Sequence, residues 1–439
     1  MNILKGECRP HPFILFGPPG TGKTRTIVES ILQITRNIQG SRVVACAPSN
    51  TCADQLALKL IQSGNLKERD IARIIAVSRI DKVPEELDNF VIEPSEADPN
   101  WIYRKIIIST CGSVGHLFEL QKRPGFFTHC FIDEAAQATE PEAMQVLNMV
   151  ALGKGMTILA GDPYQLGPVC MSPQAKRYGL GKSMLGRLFT MKPYRRTQNS
   201  FQEYGSYDPR CITKLIESYR CCMDLIYVNS KMFYASELEC KVDSDNELLE
   251  ELGIGFPVVF EGVRGKDERD DNSSSWYNSG EVLVVTQYLK RLYEAGVDIE
   301  DIGVITPYRK QTEKLRQFIE FTGLPKCKIA TVEEFQGSER RVMILSLVRT
   351  TPENIDIDLK KHLGFVANEQ RFNVATTRAK SLLIVIGDPF CLVVDGCWKA
   401  FISYCMLKNS YVGIEFTIND VHKAKSIDLD VAEKTHDDK

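Results

Sequence analysis

The sequence predicts an α/β protein of two successive domains, each built on a mostly parallel sheet with helices on both faces. The chain has 439 residues, which is long for one domain and enough for two hydrophobic cores. Short apolar runs alternate with stretches of helical periodicity, as in proteins with parallel sheets. A polar, turn-rich segment at 193–210 separates two such alternating regions, which indicates a connector between domains.

The first region, 1–192, contains apolar runs that predict buried strands at Phe13–Phe16, Arg42–Ala47, Lys105–Ser109, Cys130–Ile132 and Met156–Ala160. The second region, 211–416, contains runs that predict strands at Pro257–Phe260, Ile302–Thr306, Cys327–Thr331, Arg341–Leu347 and Leu382–Ile386. Between these strands, Asp267–Ser275 is polar and predicts an exposed loop. Residues 417–439 are charged and nearly free of aromatic residues, which predicts a disordered tail.

The composition is that of an ordinary globular protein, with 43% hydrophobic and 25% charged residues. We expect a soluble intracellular protein, because no apolar run is long enough to cross a membrane and the N-terminus lacks a secretory signal. The 14 cysteines are scattered through apolar runs and the 6 histidines show no zinc spacing, so we expect buried, reduced thiols. A net charge of -3 means that any nucleic acid must be held by a localised groove.

The most specific motif lies directly behind the first apolar run and reads Gly17-Pro18-Pro19-Gly20-Thr21-Gly22-Lys23-Thr24. Strand, glycine-rich loop and helix in this order predict a loop that binds the phosphates of a nucleoside triphosphate. The glycines allow the backbone N–H groups to turn toward the phosphates, and the helix N-terminus adds a favourable dipole. We expect Lys23 to reach the β- and γ-phosphates and Thr24 to ligate Mg²⁺. A glycine- and proline-rich surface turn is the alternative, and the flanking strand and helix argue against it.

Two adjacent acids, Asp133 and Glu134, follow the fourth predicted strand. In nucleotide hydrolases an acid pair at this place holds Mg²⁺ and polarises the attacking water, so we assign the metal to Asp133 and the water to Glu134. The alternative is that the two acids only cap a helix predicted at Ala135–Gln145.

Further motifs identify the chain as resembling superfamily 1 helicases. The segment Gly161-Asp162-Pro163-Tyr164-Gln165-Leu166 matches a helicase signature whose glutamine senses the γ-phosphate, a role that the resemblance gives to Gln165. The fourth, fifth and sixth motifs of that family match Leu215–Arg220, Thr331–Glu339 and Asn373–Lys380. Four further segments are similar in sequence to the Armitage and Moloney-leukaemia-virus-10 group of RNA helicases: Gly6–Pro10, Gly262–Gly265, Ser275-Trp276 and Leu363–Phe365.

The resemblance implies two tandem RecA-like domains that use ATP and Mg²⁺. In such proteins two arginines of the second domain, here Arg220 and Arg378, neutralise charge on the γ-phosphate, while Tyr219 stacks on adenine and Glu339 contacts the ribose. Lys23, Glu134, Gln165, Arg220 and Arg378 are therefore the expected catalytic residues. Residues at loop positions that match strand-tracking motifs are the expected nucleic-acid contacts: Ser49, Asn50, Thr110, Pro307, Tyr308 and Thr331. Each of these could equally be an ordinary cap or turn residue.

The resemblance also implies a function. It predicts an ATP-dependent helicase core that moves 5′ to 3′ on single-stranded RNA, or on a duplex with a single-stranded tail, in small-RNA silencing. It further implies silencing partners of the Argonaute or Piwi type and a cytoplasmic location, in ribonucleoprotein granules. Only 16 residues precede Gly17, where the family carries further domains, so we expect the helicase core alone. Two alternatives stay open: a helicase that acts on DNA, and an ATP-gated RNA clamp that does not unwind.

Overall fold

The structure is a computed structural model that describes residues 2–64, 66–94, 99–117, 125–150, 155–197, 200–270, 273, 275–351, 365 and 368–423. The chain divides into two compact units, Met1–Ile216 and Glu217–Lys439. Each unit is an α/β domain built on a parallel sheet, which confirms the predicted fold class. Among the described residues, no helix is both long and apolar enough to cross a membrane.

The first unit contains an eight-stranded sheet in which every pair of neighbours is parallel. In chain order the strands are β1 (Phe13–Phe16), β2 (Val43–Ala47), β3 (Ile71–Ile74), β4 (Val91–Ile92), β5 (Ile106–Thr110), β6 (His129–Ile132), β7 (Met156–Gly161) and β8 (Ile212–Lys214). Their order in the sheet is β4-β3-β5-β2-β6-β7-β1-β8. Among the described residues of this unit, the α-helices are Asn2–Lys5, Lys23–Asn37, Asn50–Gly64, Glu140–Leu147, Pro173–Arg177 and Met184–Leu188.

Both faces of this sheet are covered, because β1, β2 and β5 to β7 are buried at every position. The helix Lys23–Asn37 places Ile27, Ile31 and Ile34 in one cluster with Phe13 and Ile158 of the sheet. All three isoleucines are fully buried, as their helical spacing predicts. Burial of one such side chain contributes about 1.5–3 kcal/mol, so this face fixes the helix that follows the glycine-rich loop.

The second unit contains a six-stranded parallel sheet and two small strand pairs. In chain order the strands are β9 (Glu217–Ser218), β10 (Glu239–Cys240), β11 (Val258–Gly262), β12 (Asp267–Arg269), β13 (Trp276–Asn278), β14 (Ile302–Ile305), β15 (Lys328–Ala330), β16 (Arg340–Ser346), β17 (Ala379–Gly387) and β18 (Tyr411–Gly413). The large sheet has the order β15-β14-β16-β17-β11-β18, and β12 and β13 form an antiparallel hairpin. The α-helices in the part of this unit that the structure describes are Met223–Phe233, Asn246–Glu251, Ser279–Glu294, Arg309–Thr322, Glu369–Thr376, Pro389–Leu392, Gly396–Leu407 and Ile418–Lys423.

The boundary between the units differs from the sequence prediction. Strand β8, which the prediction assigned to the second domain, pairs with β1 and belongs to the first sheet. The predicted connector at 193–210 also packs on the first unit, since buried Tyr194 donates its hydroxyl hydrogen bond to the Pro12 carbonyl at 2.6 Å. Of the predicted disordered tail, Ile418–Lys423 is helical, and 424–439 lies outside the described residues.

Two further features were missed in the sequence. Strand β3 was not predicted, because Arg73 interrupts its apolar run; the arginine is nevertheless buried, and Asp54 pairs with it at 2.8 Å. The segment predicted as an exposed loop, Asp267–Ser275, instead begins with strand β12, and Asp267 is 5% exposed. The prediction of that loop is wrong because Arg349 compensates the Asp267 carboxylate inside the domain.

The loops after β1, β6 and β7 lie at one edge of the first sheet. Phe16 at the end of β1 is in register with Gly161 at the end of β7, and Ile132 of β6 pairs with Leu159. Because the strands are parallel, their carboxyl ends meet at this edge. The fold therefore brings together the glycine-rich loop, the acid pair and the loop that contains Gln165.

Candidate active site

The glycine-rich loop between β1 and the helix Lys23–Asn37 is shaped by its glycines. Gly20 and Gly22 have φ angles of 73° and 77°, in the left-handed region that favours glycine. A Cβ atom on Gly17 would lie 2.8 Å from the Cβ of Lys23, so a larger residue would displace the lysine. Gly22 precedes the helix without a side-chain cap, which leaves the first-turn N–H groups to an anion.

The Lys23 ammonium lies at the centre of the site. Its Nζ is 2.8 Å from Oε1 of Glu134, and its side chain is only 10% exposed. Burial alone would lower the pKa of Lys23, but the carboxylates of Glu134 and Asp133 raise it above its ordinary value. Lys23 therefore stays a cation and can meet the β- and γ-phosphates of a nucleotide.

Thr24 and Asp133 form a pair of oxygen ligands beside this lysine. The Thr24 hydroxyl donates to Oδ2 of Asp133 at 3.0 Å, and the Glu134 N–H donates to the other carboxylate oxygen at 2.9 Å. Burial, together with the Glu134 charge, raises the pKa of Asp133 to about 6, against the lowering effect of Lys23. The Thr24 hydroxyl and the Asp133 carboxylate beside a phosphate-binding loop suit Mg²⁺, because this ion takes its remaining ligands mainly from water and phosphate.

No cluster of three or more acids, histidines or cysteines that could hold a metal occurs in the part of the chain that the structure describes. The hydroxyl of Thr24 and the carboxylate of Asp133 are oxygen donors of the kind that Mg²⁺ takes when it is bound together with phosphate.

Glu134 has a backbone φ of 52°, which is unusual for a residue with a side chain. Its Oε2 accepts a hydrogen bond from Nε2 of Gln137 at 3.0 Å, so the carboxylate is held on two sides, by Lys23 and by Gln137. Conformations of this kind cost about 1–3 kcal/mol and cluster at active sites. The geometry favours a functional Glu134.

The helix expected at Ala135–Gln145 begins only at Glu140, and this prediction is wrong because the helix has its own start signal. Thr139 accepts from the Glu142 N–H, and the Glu142 carboxylate accepts from the Thr139 N–H at 2.9 Å, which is a capping box. Asp133 and Glu134 therefore do not cap this helix, and the structural alternative for the acid pair is excluded.

Gln165 follows β7 and is 7% exposed. Its Nε2 donates to Oδ2 of Asp162 at 2.7 Å, and Oδ1 of the same aspartate accepts from the Tyr164 N–H at 3.0 Å. The aspartate, which is fully buried, fixes the turn and the orientation of the amide. The turn lies at the edge of the sheet that carries the glycine-rich loop, as a γ-phosphate sensor requires.

In the second unit, Arg220 lies in a network of charges. Its Nε donates to Oε2 of Glu339 at 2.6 Å, and its Nη1 donates to the Thr377 carbonyl at 2.8 Å. Lys380 contacts the other oxygen of Glu339 at 3.1 Å. The charges of Arg220 and Lys380 outweigh burial and hold the pKa of Glu339 below its ordinary value. Glu339, for which only a ribose contact was expected, thus also positions Arg220.

The other predicted catalytic arginine, Arg378, is 3% exposed, and its Nε donates to the Val374 carbonyl at 2.9 Å. It lies one residue beyond Thr377, whose carbonyl holds Arg220, so the chain brings the two arginines together. The Tyr219 ring is 59% exposed, as a stacking surface for a base requires, and its hydroxyl donates to Glu217.

The predicted nucleic-acid contacts of the first unit lie at or just after the carboxyl ends of β2 and β5, which end side by side. Each takes part in a hydrogen bond. The Ser49 hydroxyl accepts from the Cys52 N–H at 3.2 Å, and the Thr110 hydroxyl accepts from the Ser113 N–H at 3.1 Å. Asn50 accepts from Nη2 of Arg73 at 3.1 Å. The bonds of Ser49 and Thr110 are those of caps and turns, whereas Asn50 contacts a buried arginine from another element, and a role in nucleic-acid binding stays a prediction for all three.

The predicted contacts of the second unit gather after β14 and β15, whose carboxyl ends are also neighbours. Thr331 and Glu334 exchange hydrogen bonds between side chain and backbone, in the manner of a capping box. Pro307 is half-buried, but Tyr308 is only 7% exposed and its hydroxyl accepts from Nε of Arg349 at 2.8 Å. In this structure Tyr308 therefore does not offer the open ring face that a base-stacking platform needs.

Comparison with known proteins agrees with this geometry. Two family models, each described as an AAA domain, match residues 3–96 with 103–173 and residues 195–389. The putative helicase mov-10-B.1 of Danio rerio is 42% identical over an alignment of 446 positions that covers 95% of this chain. The RNA helicase Mov10l1 of Mus musculus is 42% identical over 94% of the chain, and the probable RNA helicase armi of Drosophila melanogaster 35% identical over 94%. The chain belongs to the MOV-10 helicase family.

The resemblance seen in the motifs is thereby confirmed for almost the whole chain. The chain spans less than half the length of these MOV-10 relatives: 43% of mov-10-B.1, 36% of Mov10l1 and 38% of armi. A solved helicase, nonstructural protein 10 of an arterivirus, matches with a TM-score of 0.44 at 16% identity, over 89% of this chain and 62% of that one.

Some residues of this MOV-10 relative were not expected from its sequence. Gln137 and Lys380 each contact a predicted site residue, and Arg349 holds Tyr308. Lys380 closes the sixth motif and could have been found there as a second cation. Gln137 and Arg349 carry no sequence signal of their own, because their contacts depend on how the loops fold.

Proposed function

We propose that the chain is the ATP-hydrolysing core of an RNA helicase that moves 5′ to 3′ along single-stranded RNA and remodels RNA or ribonucleoprotein. The observation that carries the proposal is the arrangement at the edge of the first sheet. A buried lysine, a threonine hydroxyl and two carboxylates lie within hydrogen-bond distance around a loop shaped for phosphate. This set provides the parts that phosphoryl transfer to water needs.

Each residue of the first unit has a role in this proposal. The loop Gly17–Gly22 and Lys23 bind the phosphates, and Thr24 with Asp133 holds Mg²⁺. When bound, the ion neutralises charge on the phosphate oxygens. Glu134 accepts a proton from the attacking water, for which its exposed fraction of 22% leaves access. Gln165, held by Asp162, orients toward the γ-phosphate.

The second unit supplies the remaining groups. In the proposal Arg220 and Arg378 stabilise the charge on the transferred group, and Tyr219 and Glu339 bind adenine and ribose. Glu339 and the Thr377 carbonyl already hold the Arg220 guanidinium, so little conformational entropy is lost when it meets phosphate. Hydrolysis and strand movement would then depend on both units.

RNA is the proposed track because relatives along 94% of the chain carry the name RNA helicase. A single strand would be gripped through its phosphates by hydroxyl and backbone N–H groups, which a protein of net charge -3 can supply locally. We further propose action in small-RNA silencing with partners of the Argonaute or Piwi type, in cytoplasmic ribonucleoprotein granules.

The test compares ATP turnover with matched single-stranded RNA and DNA, and unwinding of a duplex with a 5′ single-stranded tail. The proposal expects RNA to stimulate turnover more than DNA and expects ATP-dependent unwinding. Stimulation by DNA alone would make the chain a DNA helicase. RNA-stimulated turnover without strand displacement would make it an ATP-gated clamp. Absence of nucleotide hydrolysis with either strand would overturn the assignment.

A further inference from the structure

Arg349, three residues after β16, is a buried arginine that lies outside the helicase motifs named above. It is 1% exposed. Its Nη1 lies 3.0 Å from Oδ2 of Asp267 in the hairpin, and its Nε donates to the Tyr308 hydroxyl at 2.8 Å. Its guanidinium also lies 4.2 Å from the ring centroid of Trp276. One side chain thus joins the hairpin β12–β13 to the turn after β14.

The backbone that carries Arg349 is itself fixed. Val348 has a φ of 74°, and its N–H donates to both oxygens of Glu281, at 2.8 and 2.9 Å. Glu281 is fully buried and also accepts from the Ser346 hydroxyl at 2.6 Å. A β-branched residue at positive φ is an outlier that persists only where its surroundings hold it. This turn therefore aims Arg349 at Tyr308.

A second link ties the hairpin to the helix that begins after Tyr308. Gln311 accepts from the Asn278 N–H at 2.9 Å and donates to the Ser346 hydroxyl at 2.8 Å, and it is fully buried. Hairpin, helix and the end of β16 thus share one hydrogen-bonded network. Within it, the planar guanidinium of Arg349 contacts the Asp267 carboxylate, the Tyr308 hydroxyl and the Trp276 ring at once. A lysine ammonium cannot make all three contacts, because it lacks the planar fork.

We propose that Arg349 is a positioning residue for nucleic-acid binding. It holds Tyr308 and thereby sets the orientation of Pro307 and the turn that faces a single strand, although Arg349 is itself too buried to touch one. The inference rests on the proposed function, because it assigns the turn after β14 to strand binding. It also gives Tyr308 a role that its burial allows, as the anchor of the turn rather than as a stacking platform.

The test uses Arg349→Lys, Tyr308→Phe and the double variant in the full chain. Binding of a fluorescein-labelled oligouridine is measured by anisotropy, and the KM for ATP is measured in parallel. Tyr308→Phe keeps the ring and removes only the hydroxyl that Arg349 holds. Arg341→Lys is the control, since Arg341 also pairs with an aspartate, Asp245 at 2.8 Å, at a more exposed place near the other end of β16.

Each single variant should raise the Kd for RNA by roughly 3- to 30-fold, the scale at which a contiguous network modulates binding. Arg349→Lys should leave the KM for ATP within twofold, and the control should leave both values unchanged. The double variant should bind no more weakly than Arg349→Lys alone, because the two changes break one contact.

Parental RNA affinity in both single variants, or additive losses in the double variant, would overturn the inference. If Arg349→Lys does not fold, as circular dichroism would reveal, the result for Tyr308→Phe decides alone. A parental chain that binds DNA but not RNA would contradict the proposed track, and the same variants would then be measured on DNA. Failure to bind either strand would overturn both.

Discussion

Replacing Glu134 by glutamine separates nucleotide binding from hydrolysis at this site. In the structure Oε1 of Glu134 is 2.8 Å from the Lys23 ammonium, which in the proposed function binds phosphate. Two unit charges at that distance attract by about 6 kcal/mol at an effective dielectric constant of 20, which is an upper bound. A glutamine oxygen still accepts a hydrogen bond from Lys23, and Asp133 remains beside it. Glu134 therefore competes with phosphate for Lys23, and we take the net free energy of this competition, which Glu134→Gln removes, as about 1–2 kcal/mol.

This free energy predicts that Glu134→Gln binds ATP roughly 5- to 30-fold more tightly than the parental chain. Turnover should fall by roughly 10²- to 10⁴-fold, because an amide cannot take the proton of the attacking water. The binding measurement is a titration with a fluorescent ATP analogue in Mg²⁺, and turnover is measured as single-turnover hydrolysis.

The matched control is Glu142→Gln, because Glu142 lies in the same unit and glutamine preserves the capping box in which it takes part. The control should change neither ATP affinity nor turnover. Unchanged ATP affinity together with parental hydrolysis in Glu134→Gln would refute the assignment of Glu134 as the base that also forms an ion pair with Lys23.

Three other outcomes are expected. Lys23→Ala should weaken ATP binding by roughly 10- to 100-fold or more, measured by the same titration, because it removes a charge-assisted hydrogen bond to phosphate. Burial raises the pKa of Glu281 to about 8 from an unfolded value near 4.5. Between these two pH values the folded chain therefore binds a proton on Glu281 that the unfolded chain has lost. Stability should then fall as pH rises from about 4.5 to 8, by up to about 1.4 kcal/mol per pH unit, and Glu281→Gln should flatten that slope in denaturant melts. RNA affinity should fall with salt on a slope that implies fewer than roughly eight neutralised phosphates, and a steeper slope would contradict a groove of hydroxyl and N–H groups.

Local sequence patterns predicted most strands of each large sheet. Phe13–Phe16 has the predicted bounds, and Cys130–Ile132 is extended by a single residue, because continuous apolar runs in a parallel sheet are buried on both faces. Strand β3 contains Arg73, whose burial depends on Asp54 from a helix 19 residues away, and no local pattern encodes such a pair. The same reason explains the hairpin at Asp267, which is buried only because Arg349 lies against it.

The candidate site likewise combines features that local sequence predicts with contacts that depend on the fold. The glycine-rich loop and the acid pair were predictable, because phosphate and Mg²⁺ demand particular residue types at fixed spacing. The contact between Glu339 and Arg220 spans 119 residues and could not be read from spacing. Tyr308 illustrates the converse, since an aromatic residue after a strand suggests an exposed platform until its burial is known.

The proposed function rests most heavily on one assignment, namely that Arg220 and Arg378 take part in nucleotide hydrolysis. Single-turnover hydrolysis of Arg220→Ala and Arg378→Ala, each with and without single-stranded RNA, tests it most directly. Arg341→Ala serves as a control arginine of the same unit, paired with Asp245, and circular dichroism verifies folding, since Arg378 is buried. We expect turnover to be lower by roughly 10³-fold or more in both variants, with little loss of ATP affinity and poor rescue by lysine. Near-normal RNA-stimulated rates in both variants would contradict it.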